Sequence, residues 1–178
     1  MTTHRRVSIF TVVVFIQAAV WIVIDQLSKW WAESTLEFGL YEPLLGEWFG
    51  LRLVYNPGAA FGLAAGYTWI LTIVAAIAVV ALLWYSFRVS GWWWTVGIGA
   101  LLGGAISHLG DRLFREPGFA VGHIVDFLDY AGFFVGNVAD IALVGGAALL
   151  VLASLVQPSE PAEPTEPDES PTTSSGQQ

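Results

Sequence analysis

The 178-residue sequence contains no cysteine and few charged side chains. Without cysteine the chain has no disulfide bond, no thiolate nucleophile and no cysteine-ligated metal site. Charged residues make up only 12% of the sequence, against roughly 25% in a typical soluble domain. The seven basic residues are outnumbered by 15 acidic ones, which excludes a basic nucleic-acid-binding protein. The chain therefore has too little charged surface for a domain surrounded by water.

Apolar residues, in contrast, make up 55% of the sequence and include nine tryptophans, a residue that collects at membrane–water interfaces. Four apolar stretches are each close to the roughly 20 residues that cross a hydrocarbon core as a helix. They span residues 8–24, 68–87, 92–108 and 133–156. Because these runs are continuous and do not alternate, they indicate helices and not barrel strands. We therefore predict an all-α membrane domain with four transmembrane helices over residues 1–156.

The remaining residues, 157–178, are rich in proline, glutamate, serine and threonine, and we predict that they form a disordered cytoplasmic tail. Four spans place both termini on one side of the membrane. The basic N-terminus, with Arg5 and Arg6, favours the cytoplasmic side for them. The two longest loops, residues 25–67 and 111–132, then lie on the extracytoplasmic side. Partial alternation over residues 51–55 predicts a short strand in the first of these loops.

Ionisable residues near the apolar stretches are informative, because a charge in hydrocarbon is costly. They gather at one predicted face of the membrane: Asp25, Lys29, His108, Asp111, Arg112, Asp126, Asp129 and Asp140. Asp140 lies a turn or two inside the fourth predicted span, so it should face protein or a wet cavity. Asp25 and Lys29 have the i,i+4 spacing of an ion pair on one helix face, which is either structural or part of a site. We expect Lys29 and Arg112 to be held by carboxylates.

Asp126 and Asp140 are a candidate catalytic pair. Two carboxylates in a low-dielectric pocket do not both ionise readily, so one keeps a proton and the other can take one from water. Peptide hydrolysis needs such an acid and such a base, although the spacing alone leaves open whether the two meet. The small residues of the loop Asn56–Gly62 would let its backbone lie along an extended peptide. Gly103 and Gly104 predict close helix packing.

Five motifs occur in the order found in the lipoprotein signal peptidases (signal peptidase II), and the sequence resembles that family over roughly residues 8–156. The motifs are Asp25-Gln-Leu-Ser-Lys29, Asn56-Pro-Gly-Ala-Ala-Phe-Gly62, Gly103-Gly-Ala-Ile-Ser-His-Leu-Gly-Asp-Arg112, Val125-Asp-Phe127 and Asn137-Val-Ala-Asp140.

The resemblance implies a membrane aspartic endopeptidase of bacteria, without cofactor or metal. Such an enzyme cleaves the signal peptide from diacylglyceryl-modified prolipoproteins just before the lipidated cysteine. Asp126 and Asp140 match the catalytic dyad. Other candidate residues line the site or bind substrate: Asp25, Lys29, Asn56, Gly58, Ala60, Phe61, His108, Arg112 and Asn137. The family also implies a small extracytoplasmic β-cradle and a surface-lying helix, which the loop of residues 25–67 could supply, and a site on the extracytoplasmic face of the cell membrane.

The sequence departs from the family pattern at two places. Ser107-His108 stands where Gly-Asn is usual, and Gly136 stands where an aromatic residue often precedes Asn137. Histidine offers hydrogen-bonding groups at a different reach from those of an amide. His108 therefore either replaces the amide, adds a pH dependence, or makes a structural contact between spans. Gly136 indicates a change in packing.

Two other functions stay open from the sequence. A membrane carrier or proton relay could use Asp25, Asp126 and Asp140, but these acids form no midplane chain and no internal repeat is visible. A catalytically silent relative that only binds lipoproteins is suggested by the substitution at His108. For the peptidase we expect a monomer whose partners are its prolipoprotein substrate and the lipid bilayer, with no nucleic acid.

Overall fold

The computed structural model describes residues 8–58 and 67–156. This part of the chain folds into four helices and four strands, in the order α1 (Ile9–Thr35), β1 (Glu42–Leu45), β2 (Phe49–Asn56), α2 (Thr68–Ser86), α3 (Trp92–Phe114), β3 (Ile124–Tyr130), β4 (Phe134–Gly136) and α4 (Val138–Val156). Three of the described helices, α1, α2 and α4, are long and apolar enough to cross a membrane. Arg5, Arg6, Ala60, Phe61 and the acidic tail lie outside the described residues.

Helix α1 begins where the Ser8 hydroxyl accepts a hydrogen bond from the backbone N–H of Phe10. It contains 27 residues, about 40 Å at 1.5 Å per residue, which exceeds a hydrocarbon core of about 30 Å. The helix therefore extends beyond the apolar stretch, which was predicted to end at Ile24. The helix continues through Asp25 and Lys29 because both charges find partners inside the protein.

Helix α3 is central and packs against each of the other three helices. At Gly103 a Cβ atom would lie 2.6 Å from Cβ of Trp21 on α1, and at Gly104 it would lie 2.8 Å from the carbonyl oxygen of Ala139 on α4. The close packing predicted at these glycines is confirmed. The helix extends six residues beyond the apolar stretch predicted to end at His108, and it ends at Phe114.

The four strands form one antiparallel sheet in the order β1-β2-β3-β4. The strand predicted over residues 51–55 is confirmed as part of β2. Apolar side chains of β2 and β3 pack against the C-terminal end of α1, in a cluster formed by Ala32, Leu36, Leu51, Leu53, Val125 and Phe127. Residues 36–58 contain two strands and no helix, so the implied surface-lying helix is not found in that part of the loop.

The start of the fourth span at Phe133 was also predicted wrongly. Phe134–Gly136 form β4, and α4 begins at Val138. The apolar side chains of this segment extend the hydrophobic run, but a tight turn with positive φ at Ala131 and Gly132 folds the chain back onto β3. The carboxylate of Asp129 accepts a hydrogen bond from the Gly132 N–H at 2.6 Å and holds this turn. The turn places the beginning of α4 beside β3.

Candidate active site

Asp126 projects from β3 and is 2% exposed. One of its carboxylate oxygens, Oδ2, accepts a hydrogen bond from Nδ2 of Asn56 at 3.0 Å. The other, Oδ1, accepts one from Nδ2 of Asn137 at 2.5 Å. The side-chain oxygen of Asn56 in turn accepts from the N–H of Gly58, which fixes the amide. Two amide groups from the end of β2 and the start of α4 therefore hold this buried carboxyl group.

Asp140 lies in the first turn of α4, not a turn or two inside the helix as predicted. Its Oδ2 accepts the backbone N–H of Asn137 at 2.9 Å. The Asn137 Oδ1 accepts the backbone N–H of Asp140 at 3.1 Å. This reciprocal pair satisfies two N–H groups that have no partner within the helix. The position is also favourable for a negative charge, because the N-terminal end of a helix carries partial positive charge.

A single residue, Asn137, joins Asp126 to Asp140. Its amide nitrogen donates to Asp126 and its amide oxygen accepts from the backbone of Asp140. The side chain is 1% exposed, so both bonds are shielded from water. Nε2 of His108 lies 3.2 Å from the same amide oxygen and 3.6 Å from Oδ1 of Asp140. The structure thus brings Asn56, His108, Asp126, Asn137 and Asp140 together.

The two carboxyl groups lie in different environments. Burial raises the pKa of Asp126 to about 7, and the negative charge of Asp140 acts in the same direction. Hydrogen bonds from Asn56 and Asn137 oppose this rise, as does the more distant charge of Lys29. The side chain of Asp140 is 26% exposed and reaches solvent. Near neutral pH the pair can therefore hold one proton, and the buried member is the one whose surroundings favour it.

The predicted ion pair between Asp25 and Lys29 is confirmed, and Lys29 also contacts a second carboxylate, Asp111. Both contacts measure 2.5 Å, and all three residues are no more than 1% exposed. The other carboxylate oxygen of Asp25 accepts the backbone N–H of Ala139 at 2.7 Å. The cluster therefore holds the first turn of α4 against α1, and it acts on the dyad through position and not through contact.

Among the described residues Arg112 forms no ion pair with a carboxylate, so the expectation that carboxylates hold it was wrong. One of its guanidinium nitrogens donates to three carbonyl oxygens, those of Asn56, Pro57 and Gly122, at 2.9 to 3.0 Å. These carbonyls lie at the end of β2, at the residue that follows it, and two residues before the start of β3. Arg112 therefore fixes the frame around Asp126 by binding backbone.

Sequence reasoning missed Ser107 and Gln26 as members of this network. The Ser107 hydroxyl donates to Asp25 at 2.6 Å, and Gln26 donates to both Ser107 and Asp111. Neither residue carries charge, so neither is costly in hydrocarbon in the way that marked its neighbours. The one available signal was that Ser107 adjoins His108 in an unusual dipeptide.

An apolar cavity of about 430 Å³ opens beside Asp140 and is lined by Tyr130, Phe134, Ile141, Val144 and Gly145. A larger cavity of about 580 Å³, beside Glu33 and Arg115, includes neither carboxylate of the pair. The smaller one adjoins the site, because it brings apolar surface directly to the carboxylate of Asp140. Within residues 8–58 and 67–156, no three His, Asp or Glu side chains converge as metal ligands.

Two carboxyl groups bound by one buried residue, Asn137, at the end of a bundle of membrane-type helices, are typical of a membrane protein with an acid–base site suited to hydrolysis.

Comparison with known proteins gives the particular family. The family model described as signal peptidase (SPase) II matches residues 17–156. A lipoprotein signal peptidase of Mycobacterium avium is 46% identical over 138 residues, which is 78% of this chain and 76% of that protein. One of Rhodococcus jostii is 42% identical over 154 residues, covering 86% and 76% of the two chains. This chain therefore belongs to the signal peptidase II family, and it is a protease of the bacterial cell membrane.

Solved structures agree with this assignment. A bacterial membrane enzyme determined at 2.3 Å resolution superimposes with a TM-score of 0.70 at 25% identity, over 80% of this chain and 87% of that one. A second, determined at 1.9 Å, has the same TM-score at 24% identity, over 82% and 94%, and shows the common fold. The resemblance found in the sequence motifs is confirmed.

Proposed function

We propose that Asp126 and Asp140 are the catalytic dyad with which this protease removes the signal peptide from diacylglyceryl-modified prolipoproteins, just before the lipidated cysteine. The observation that carries the proposal is the shared amide of Asn137, which binds Asp126 through its nitrogen and the backbone of Asp140 through its oxygen. No other pair of acids in the described residues combines a raised pKa with access to solvent.

The reaction needs one water molecule and one shared proton. The ionised carboxylate takes a proton from the water molecule while the oxygen of that water forms a bond to the scissile carbonyl carbon. The protonated carboxyl group donates its proton as the carbon–nitrogen bond breaks, so the amine leaves neutral. The released signal peptide then ends in a carboxyl group, and the lipidated cysteine becomes the new N-terminus.

Neighbouring features support the binding of a lipidated peptide. Arg112 and Asn56 fix the backbone at Pro57 and Gly58, from which an extended peptide could be held through main-chain groups. The apolar cavity beside Asp140 offers a place for an apolar part of the substrate entering from lipid. Lys29 and Asp25 would maintain the position of α4 without touching substrate.

The membrane arrangement belongs to the same proposal. α3 is enclosed by the three helices that are apolar enough to span, and it runs beside them for 23 residues, so we take it as the fourth span. The sheet and the dyad lie at the end of the bundle opposite the first residues of α1 and the last residues of α4. Both termini would be cytoplasmic, and the site and its β-cradle would face the extracytoplasmic side of the membrane. The protein would act as a monomer, since every group named in the mechanism comes from one chain.

The test is cleavage of a synthetic lipidated prolipoprotein peptide by the full chain purified in detergent, with the non-lipidated peptide in parallel. We expect cleavage before the lipidated cysteine only. Asp126→Asn and Asp140→Asn should each lower the rate by about 10³-fold, since each removes a group that transfers a proton. Glu42→Gln, which removes an exposed acid on β1 of the same sheet, is the matched control and should cleave normally.

Each alternative has its own outcome. Normal cleavage by either dyad variant would end the dyad proposal. Binding of the lipidated peptide without cleavage by the unmodified protein would instead identify a catalytically silent relative. Neither binding nor cleavage would reopen the carrier hypothesis.

A further inference from the structure

The imidazole of His108 lies close to Asn137 and Asp140, the two residues through which α4 is connected to Asp126 on β3. Its Nε2 atom is 3.2 Å from the amide oxygen of Asn137 and 3.6 Å from Oδ1 of Asp140. The side chain is 16% exposed, so water competes only partly for these contacts. His108 therefore touches the groups that hold the dyad, from a helix that carries neither carboxylate.

The orientation of the Asn137 amide decides which state of the imidazole fits. Its nitrogen faces two acceptors, the carboxylate of Asp126 and the carbonyl of Val125, whereas its oxygen faces the backbone N–H of Asp140. Turning the amide over would place donor against donor and acceptor against acceptor, so the orientation is fixed. Nε2 of His108 faces that oxygen and must carry a hydrogen. Oδ1 of Asp140 lies 3.6 Å from the same nitrogen.

Three features then favour negative charge on Asp140: the imidazole N–H, the backbone N–H of Asn137 and the N-terminal end of α4. We propose that His108 is a positioning residue of this protease, whose Nε2–H holds the Asn137 amide and keeps Asp140 ionised as the base that activates water, leaving the proton on Asp126. The inference rests on the proposed function. It assigns the role of base to Asp140 and that of acid to Asp126, which an isolated dyad does not distinguish.

Charged groups approach this position from several elements, and they do not offer another explanation. Among the described residues, Asp140 is the carboxylate within 4 Å of the imidazole. The other charged groups of the site are Asp126 on β3, Asp25 and Lys29 on α1, and Asp111 and Arg112 on α3. Lys29 is engaged by two carboxylates, and Arg112 by three carbonyl oxygens. Neither cation forms an ion pair with Asp140 in the described part of the chain.

The test compares two substitutions of His108 in the full-length protein, using the lipidated peptide from pH 4 to 9. His108→Leu removes the N–H, and His108→Gln restores one at a similar reach without a titratable ring. Loss of this N–H removes a favourable interaction with the negative charge of Asp140, whose Oδ1 lies 3.6 Å from Nε2. We therefore expect His108→Leu to move the acidic limb of the kcat profile upward by about one unit or more and to lower kcat by about tenfold at pH 6, with KM within twofold.

His108→Gln should return the acidic limb to within half a unit of the unmodified protein. A His108→Leu profile that superimposes on the unmodified one, or a change confined to KM, would overturn the positioning role. So would a His108→Gln protein that folds and matches the leucine variant in its profile. Asp126→Asn is assayed in the same series. If it cleaves normally, the dyad proposal itself has failed; if it is inactive while His108→Leu is normal, only the role of His108 is lost.

Discussion

The burial of Asp126 predicts a pH-dependent stability that one substitution should remove. Its pKa is about 7 in the folded protein against an ordinary value of 3.8, which we take for the unfolded chain. Between these values the folded protein holds the proton that the unfolded chain has lost. Stability is then highest below pH 3.8 and falls as the pH rises through 7. For this group alone, the free energy of unfolding should drop by about 3 kcal/mol between pH 5 and pH 8.

Asp126→Asn removes the titration but keeps the shape. The new amide would place a donor against Nδ2 of Asn56 or Asn137, which lowers stability by a similar amount at every pH. The slope of the free energy of unfolding against pH should therefore differ between the two proteins only through the carboxyl group of Asp126, whatever the constant difference in their stability.

Thermal unfolding in detergent at matched ionic strength, from pH 5 to 8, measures that slope. About 3 kcal/mol corresponds to a change in Tm of roughly 6–12 °C for a chain of this size. We expect the unmodified protein to lose this much more than Asp126→Asn over the interval. Parallel Tm curves for the two proteins would refute the reasoning, because they would show that Asp126 binds its proton no more tightly after folding.

Two further predictions concern the frame around the dyad. At Gly136 a Cβ would lie 2.6 Å from the ring of Phe134 and 2.8 Å from Oδ2 of Asp140, so Gly136→Ala should reduce the rate of peptide cleavage at least about tenfold. The control is Gly110→Ala, whose Cβ enters open space and which should cleave normally. Equal rates for the two variants would show that the first turn of α4 can shift freely. Lys29→Met leaves two buried carboxylates without their cation and should destabilise the protein by about 3–5 kcal/mol, measured as a fall in Tm of about 10 °C or more; an unchanged Tm would contradict the pairing.

The bundle was predictable from the sequence because long apolar runs have few ways to satisfy their backbone groups. The ends of the helices were not. Hydropathy predicts that a helix ends where the first charged residues occur. However, α1 and α3 continue through their charged residues, because Lys29 forms ion pairs with Asp25 and Asp111 across the two helices. Such long-range pairing cannot be read from either segment alone.

The members of the site were predictable from the family motifs, but their contacts were not. Asp140 was expected deep in a helix because the apolar residues Phe133–Val135 hide a hairpin that only its turn reveals. Arg112 was expected to bind carboxylates, yet it binds carbonyls because the two segments beside β2 and β3 converge on it. The first error arose from a local turn, and the second from a tertiary contact that brings distant segments together.

The pairing of Asp25 and Lys29 within one helix also bears on how the protein enters the bilayer. An isolated aspartate or lysine strongly disfavours insertion of the segment that carries it. These two residues are one turn apart, and Nζ of Lys29 lies 2.5 Å from Oδ2 of Asp25. The two charges within α1 therefore compensate each other before any later helix is synthesised. Asp111 of α3 then joins a cation that is already in place, and the order of synthesis matches the order in which the charges can be accommodated.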